Sequence, residues 1–186
     1  VYGNDVRGKT LGLVGWGKIG KKVVDIASKG LGMKVIAYNR HITENKEEEF
    51  GYLTPNMKEL FANADFISLH LPGSAATHHM INAELIGLMK PTAYLINCGR
   101  GEVVDEAALI EALKNHKIQG AALDVVETNL PTDDNPLLKM DNVIVTPHTA
   151  AFTTEALENM AYQAALGVYE TLEGKPVTFP INKLNK

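Results

Sequence analysis

The chain has 186 residues, 45% of them hydrophobic and 22% charged, with a net charge of -4. That length buries a sizeable core in one large domain or two small ones, and the negative balance argues against nucleic acid or an anionic membrane as partner. No apolar run approaches the roughly 20 residues of a membrane span, no signal-peptide pattern is read, and the single cysteine, Cys98, cannot close an internal disulfide, which fits a reducing cytoplasm.

In chain order, Lys9 to Arg40 reads as a βαβ unit. A short apolar run (Leu11, Leu13, Val14) meets the turn Gly15-Trp16-Gly17-Lys18-Ile19-Gly20. A helix follows, with Ile19, Val23, Ile26 and Ala27 expected on its inward face and Gly30 at its end. A second strand, Val35 to Tyr38, ends on Asn39-Arg40. The spacing Gly-x-Gly-x-x-Gly between a strand and a helix fits a dinucleotide site. Gly15 allows the tight turn, Gly17 lets backbone approach a pyrophosphate, and Gly20 lets helix pack on strand. The amino end of the helix then supplies N–H groups and a positive dipole to the anion. The alternative is a glycine turn that serves packing alone.

Thr43 to Glu49, rich in Glu and Lys, reads as a solvated loop or frayed helix. A short helix (Pro55 to Asn63) leads to a strand, Phe66 to Leu69, stopped by His70-Leu71-Pro72-Gly73. A helix from Asn82, its cap, to Met89 precedes a strand from Ala93 to Asn97, which runs into Cys98-Gly99-Arg100-Gly101. Asp105 caps the next helix, Glu106 to Asn115, with Ala108, Leu109, Ala112 and Leu113 inward. Strands Ile118 to Leu123 and Val143 to Val145 end at Asp124 and at Thr146-Pro147-His148. The last helix, Thr153 to Leu172, is stopped by Gly174, and Lys175 to Lys186 reads as extended. Alternating strands and helices predict an α/β fold, a doubly wound parallel sheet of Rossmann type, over residues 1–174. Ligands bind such sheets beyond the carboxyl ends of the strands, and glycines, histidines, arginines and an aspartate gather at those places here.

The motifs Gly15 to Gly20, His70-Leu71-Pro72 with Thr77, Asn97 to Gly101, Ala122 to Val125, and Asn135 to Leu138 through Thr146-Pro147-His148 resemble the D-isomer-specific 2-hydroxyacid dehydrogenases nearly end to end. The likeness is to that family's cofactor-binding domain. It implies a separate substrate domain, built from a segment before Val1 and from the tail 175–186, so the chain is expected to be a piece of a longer oxidoreductase. It also implies NAD(P) as cofactor, a small 2-keto or 2-hydroxy acid as substrate (glyoxylate, hydroxypyruvate, pyruvate or phosphoglycerate) and a homodimer. The small-residue helix Ala156 to Gly167 would be the dimer interface, or else pack on the sheet. Arg100 would grip the substrate carboxylate, which a planar guanidinium matches bidentately; the plainer alternative is a solvated surface charge. His148 would exchange a proton with the carbonyl oxygen. Asp124 would hold the nicotinamide carboxamide, unless it only caps a loop. Leu71, Pro72, Thr77 and the Cys98-Gly99 backbone would line the dinucleotide. His41, His78, His79 and His116 fit no such place and read as surface residues, and no metal-ligand spacing is legible.

Two departures from the family pattern carry information. The family's third catalytic residue, a glutamate paired with the histidine, stands where this chain has Asn129. Asparagine can hydrogen-bond an imidazole but brings no charge to stabilise its protonated form. The register of Glu127 points it elsewhere. Family formate dehydrogenases carry glutamine there, so Asn129 leaves two alternatives open: formate-type chemistry, or a dinucleotide-sensing module without turnover. Asn39-Arg40 is the second departure. An acidic residue at the end of the second strand would bind the ribose hydroxyls of NAD; Asn39 removes that charge and Arg40 attracts a 2′-phosphate, which favours NADP.

Overall fold

The computed structural model describes residues 3–180. The described residues fall into two compact units, divided between residues 148 and 149. The first is an eight-stranded sheet in the order β3-β4-β2-β1-β5-β6-β7-β8. Its strands are β1 (Thr10–Val14), β2 (Lys34–Tyr38), β3 (Lys46–Glu48), β4 (Gly51–Thr54), β5 (Phe66–Leu69), β6 (Tyr94–Asn97), β7 (Gly120–Leu123) and β8 (Val143–Val145). All neighbours pair in parallel except β3, which runs antiparallel to β4. The chain leaves β1 toward β2 on one side and returns on the other through β5, so strand order reverses between β1 and β5.

Helices cover both faces. On one, Val24 and Ala27 bury against Leu11, Leu13, Val35, Ala37 and Leu53; Val24 belongs to α1 (Lys18–Asp25), which continues as a π-helical turn from Ile26 to Gly30. On the other, α2 (Met57–Asn63), α3 (Ala83–Leu88) and α4 (Glu106–Lys114) pack over a core that includes Ile36, Ile67, Leu69 and Leu95. Side chains cap all three: Asn56 accepts from Glu59 N–H, Asn82 from Leu85 N–H and Asp105 from Ala108 N–H.

Three expectations need correction. The segment 43–49 is neither loop nor helix throughout, because Lys46–Glu48 pairs with the uncharged strand Gly51–Thr54. A charged edge strand of this kind blocks sheet-to-sheet association, and its composition hides it from hydrophobic patterning. The inward face is Gly20 and Val24 of α1 and Ala27 of the π-helical turn, while Ile19 and Ile26 are exposed by 69% and 63%. The helix sits so close to β1 that glycine occupies the contact, which turns the larger apolar residues outward. His41, placed with the surface histidines, is exposed but lines the ligand cleft described below.

In the second unit α5 (Thr154–Leu172) starts at a Thr153 cap and ends before Gly174, whose φ of +65° terminates it. Glu170 accepts from the backbone N–H of Thr178 at 2.8 Å, folding residues 175–178 back along the helix end. Of the tail, 175–180 has no regular structure and 181–186 lies outside the described residues.

At the amino edge of the sheet Asp65 accepts from Thr10 N–H at 2.8 Å and from Lys90 Nζ at 2.9 Å. Burial alone would raise its pKa, but Lys90 and the Thr10 N–H outweigh it and hold the carboxyl below the usual range. A depressed folded-state pKa gives stability that is present above the ordinary carboxylate range and lost as pH falls through the folded value. Asp65→Asn is therefore expected to cost about 1.5–3 kcal/mol at pH 7, and the penalty should shrink toward zero in acid, measured by denaturant unfolding at both pH values. Gly12 lies under α2, where an added Cβ would come 2.5 Å from Leu60 Cδ2 and 2.8 Å from Ala64 Cβ. Gly12→Ala should lower stability by about 1–3 kcal/mol in the same assay.

Candidate coenzyme and active site

The carboxyl ends of β1, β2 and β5 surround a cleft of about 460 Å³. It is lined by Gly15, Trp16 and Gly17 after β1, by Tyr38, Asn39, Arg40 and His41 at the end of β2, and by His70, Leu71, Pro72 and Thr77 after β5. Ser74, Ala76 and Met80 complete it.

Each glycine has a distinct role in the floor. Gly15 has φ +115°, and an added Cβ would lie 2.5 Å from the His70 carbonyl oxygen. A Cβ on Gly20 would meet the Gly15 carbonyl oxygen at 2.2 Å. At Gly17 a Cβ would touch nothing within 4 Å, so its missing side chain leaves space on the cleft side rather than relieving a clash. Gly17 is also the N-cap of α1, with no side-chain cap and no acidic residue in the first turn. An uncapped helix start facing open space suits a diphosphate, and the cleft residues fit a dinucleotide. Lys18 and Ile19 are exposed in that first turn and are not part of the cleft lining, nor is buried Gly20.

The β2 end of the cleft carries no carboxylate among the described lining residues. Asn39 Oδ1 accepts from His41 N–H at 3.0 Å, holding the turn that presents Arg40 and His41. Arg40 Nε lies 3.4 Å from His41 Nε2. Opposite, the Thr77 hydroxyl donates to the Pro72 carbonyl at 2.7 Å and closes the 72–77 loop. His70 Nε2 sits 2.9 Å from Ser68 Oγ, and burial depresses its pKa, so it presents a neutral ring at neutral pH.

Cys98, Gly99, Arg100, Asp124, Asn129 and His148 stand outside this cleft lining, on the neighbouring strand ends. Parallel pairing puts Asn97 beside Leu123 and Leu123 beside Val145, so the segments that follow emerge side by side. Backbone bonds continue the register: Asp124 N–H donates to Asn97 O at 2.9 Å, and His148 N–H donates to Asp124 O at 2.9 Å. Buried Asn97 accepts from Gly99 N–H and donates to Arg100 O, shaping the loop that exposes Arg100. The Arg100 guanidinium donates to Gly99 O at 2.8 Å. Buried Asp124 accepts from Thr146 Oγ1 at 2.5 Å. The Cys98 thiol is pushed up, by desolvation first and by the nearby Asp124 charge second.

Asn129 Oδ1 lies 2.8 Å from His148 Nδ1. Both residues have left-handed backbone, at φ +71° and +56°. With the amide oxygen facing it, Nδ1 carries the hydrogen and Nε2 is the atom able to exchange a proton. Glu127 is directed elsewhere, onto His79. Glu106 braces this loop by accepting from Glu127 N–H and from Asn135 Nδ2, both at 2.8 Å. Asn97 and Glu106 had no signature in the sequence beyond lying in a motif or a helix; their work is done by long-range bonds that spacing does not encode. Tyr38, Ser74, Ala76 and Met80 were legible only as neighbours of expected site residues.

Residues 1–150 match the family described as D-isomer specific 2-hydroxyacid dehydrogenase, NAD binding domain. A D-3-phosphoglycerate dehydrogenase of Synechocystis sp. is 43% identical over 180 residues, covering 97% of this chain and 32% of the relative. A glyoxylate reductase of Thermococcus litoralis is 44% identical over 184 residues, covering 99% and 54%. Among solved structures, D-lactate dehydrogenase with NAD+ from Lactobacillus jensenii superposes with a TM-score of 0.85 at 36% identity, covering 98% of this chain and 58% of that one. An acyclic imino acid reductase in complex with NADPH and D-Arg gives 0.85 at 36%, covering 96% and 55%. The chain thus spans 32% to 58% of the length of these relatives. Sequence, fold and cleft agree: the chain belongs to the D-isomer specific 2-hydroxyacid dehydrogenases and carries their NAD-binding domain.

Proposed function

We propose that this chain is the coenzyme-binding part of an NAD(P)-dependent 2-hydroxyacid dehydrogenase that reduces a small 2-keto acid in a reducing cytoplasm. The observation that carries the reading is the His148–Asn129 pair at 2.8 Å, beside Asp124, with β7 alone between the β8 end that leads to His148 and the β6 end that leads to Arg100. The bound nicotinamide supplies or accepts a hydride. The residues of this chain bind and orient the coenzyme and move the proton. The amino end of α1 and the Gly17 backbone hold the diphosphate. Asp124 orients the carboxamide, and neutral His70 with Leu71, Pro72, Thr77 and the Cys98-Gly99 backbone forms the wall along the dinucleotide. Arg100 binds the substrate carboxylate, and its charge polarises the adjacent carbonyl. His148 delivers a proton from Nε2 to the carbonyl oxygen in reduction and takes it back in oxidation. Asn129 fixes the ring through Nδ1 without charge, where a carboxylate would hold the imidazolium protonated to higher pH.

Substrate-selecting side chains belong largely to the remainder of the protein, so glyoxylate, hydroxypyruvate, pyruvate and phosphohydroxypyruvate define the panel. The family resemblance and the exposed apolar side chains of α5, Met160, Tyr162, Val168 and Leu172 among them, support a homodimer. The amide at 129 also supports hydride transfer without proton transfer, as in a formate dehydrogenase. Turnover of formate but of no 2-keto acid would replace the leading reading with that one, and cofactor binding without any turnover would replace it with a dinucleotide sensor.

Two measurements follow. Asn129→Glu in the intact enzyme should move the alkaline limb of the reductive kcat/KM profile to higher pH by one unit or more; an unshifted limb removes His148 as the proton donor. Arg40 and His41, with no acid at the end of β2, favour NADPH. Quenching of Trp16, the single tryptophan of this chain, is expected to give tighter binding of NADPH than NADH. Arg40→Ala should erase about tenfold of it, or roughly 1.4 kcal/mol. A wild-type preference for NADH beyond tenfold rejects this assignment.

A further inference from the structure

Outside the cleft, three side chains from two loops converge. His79 Nε2 and Glu127 Oε1, 48 residues apart in sequence, approach to 2.6 Å. The His78 ring stacks on that of His79 with centroids 4.0 Å apart and planes inclined by 26°. One ligand atom from each of the three lies within 4.8 Å of the others.

The surrounding backbone fixes this convergence. His79 N–H donates to Glu102 O at 2.9 Å and Ile81 N–H to Val103 O at 3.0 Å, tying their segment to the turn that follows Arg100. On the other side, Glu127 N–H is held by Glu106 at 2.8 Å. His79 itself has φ +49°, a conformation that L side chains rarely adopt and that its surroundings must impose.

The geometry points to a binding site for a divalent transition-metal ion of the Zn2+ class, held by His78, His79 and Glu127 with the fourth position open to solvent. The donor set selects the class. Two imidazole nitrogens and one carboxylate oxygen suit Zn2+, Co2+ or Ni2+, whereas Mg2+ and Ca2+ prefer oxygen ligands throughout. The His79–Glu127 distance is close to what a shared metal needs. The His78 ring, stacked on His79 with its ligand atom within 4.8 Å of the others, has to turn out of that stack to bring its nitrogen to the ion. Metal–ligand bonds of about 2.0–2.1 Å at a tetrahedral angle place N and O roughly 3.3 Å apart. The His79–Glu127 pair therefore has to open by about 0.7 Å from its hydrogen bond, the metal taking the place of the shared proton. Both side chains are 37% exposed, which gives them that freedom and gives the ion an entry path. Bound there, the ion links the 72–81 segment, which carries Pro72 and Thr77 of the coenzyme cleft, to the loop that carries Asn129. The assignment rests on these ligands alone and stands apart from the choice of coenzyme or substrate.

The test is titration of the intact protein with ZnCl2 by calorimetry, alongside His78→Ala, His79→Asn, Glu127→Gln and the control His116→Ala. Asparagine at 79 tolerates the left-handed backbone, and circular dichroism of each apo variant verifies folding. The expected result is a Zn2+ site in the wild type and in His116→Ala that weakens at least tenfold in each of the other three. Zn2+ should raise Tm in the wild type and leave it unchanged in His78→Ala, and Co2+ should give tetrahedral visible bands that His78→Ala removes. Absence of a Zn2+ site in the wild type, or one that persists unweakened in any of the three ligand variants, overturns the assignment.

Discussion

The contact on which the coenzyme half depends is the approach of Gly15 to the carbonyl of His70. A Cβ at 15 would sit 2.5 Å from that oxygen, and one at 20 would sit 2.2 Å from the Gly15 carbonyl. Two backbone-to-backbone approaches thus stack the turn on the end of β5 and α1 on the turn. They are available only to glycine, since a side chain at 15 would have to displace the His70 main chain, whose N–H is bonded to Val14 O, and one at 20 would have to displace the turn itself. Because β1 and β5 flank the reversal of strand order, the same stacking aims the uncapped start of α1 into the opening between them.

The proposed chemical half is positioned by a different means. Arg100, Asp124 and His148 follow three adjacent parallel strands, and their separation is inherited from strand pairing through Asp124 N–H to Asn97 O and His148 N–H to Asp124 O. Side chains then set direction. Asn97 folds the loop behind Arg100, Thr146 engages Asp124, and Glu106 pins the loop on which Asn129 stands. Such buried or braced polar groups restrict the loops to one arrangement, which is what a site acting by orientation requires.

Much of this was legible in the sequence because strand tips are marked by residue types that end strands. Gly15, Pro72, Gly99 and Pro147 each close an apolar run, and the side chains proposed for the site stand beside them. The helix caps Asn82 and Asp105 were legible for the same local reason. What escaped was set by tertiary contact. The strand Lys46–Glu48 is visible only through its partner Gly51–Thr54. The inward face of α1 was misread because burial followed glycine rather than the isoleucines. The Glu127–His79 pair joins positions whose proximity no local pattern encodes.

Asn129 and His148 share an uncommon property: each is a non-glycine residue with left-handed backbone, and they face one another. Asparagine enters that region more readily than glutamate does, by a margin on the order of 1 kcal/mol. The identity of residue 129 is therefore answerable to main-chain conformation as well as to proton chemistry. A carboxylate introduced there would keep the imidazolium protonated to higher pH while loosening the loop that aims it, so proton supply and loop rigidity make opposite demands on this position.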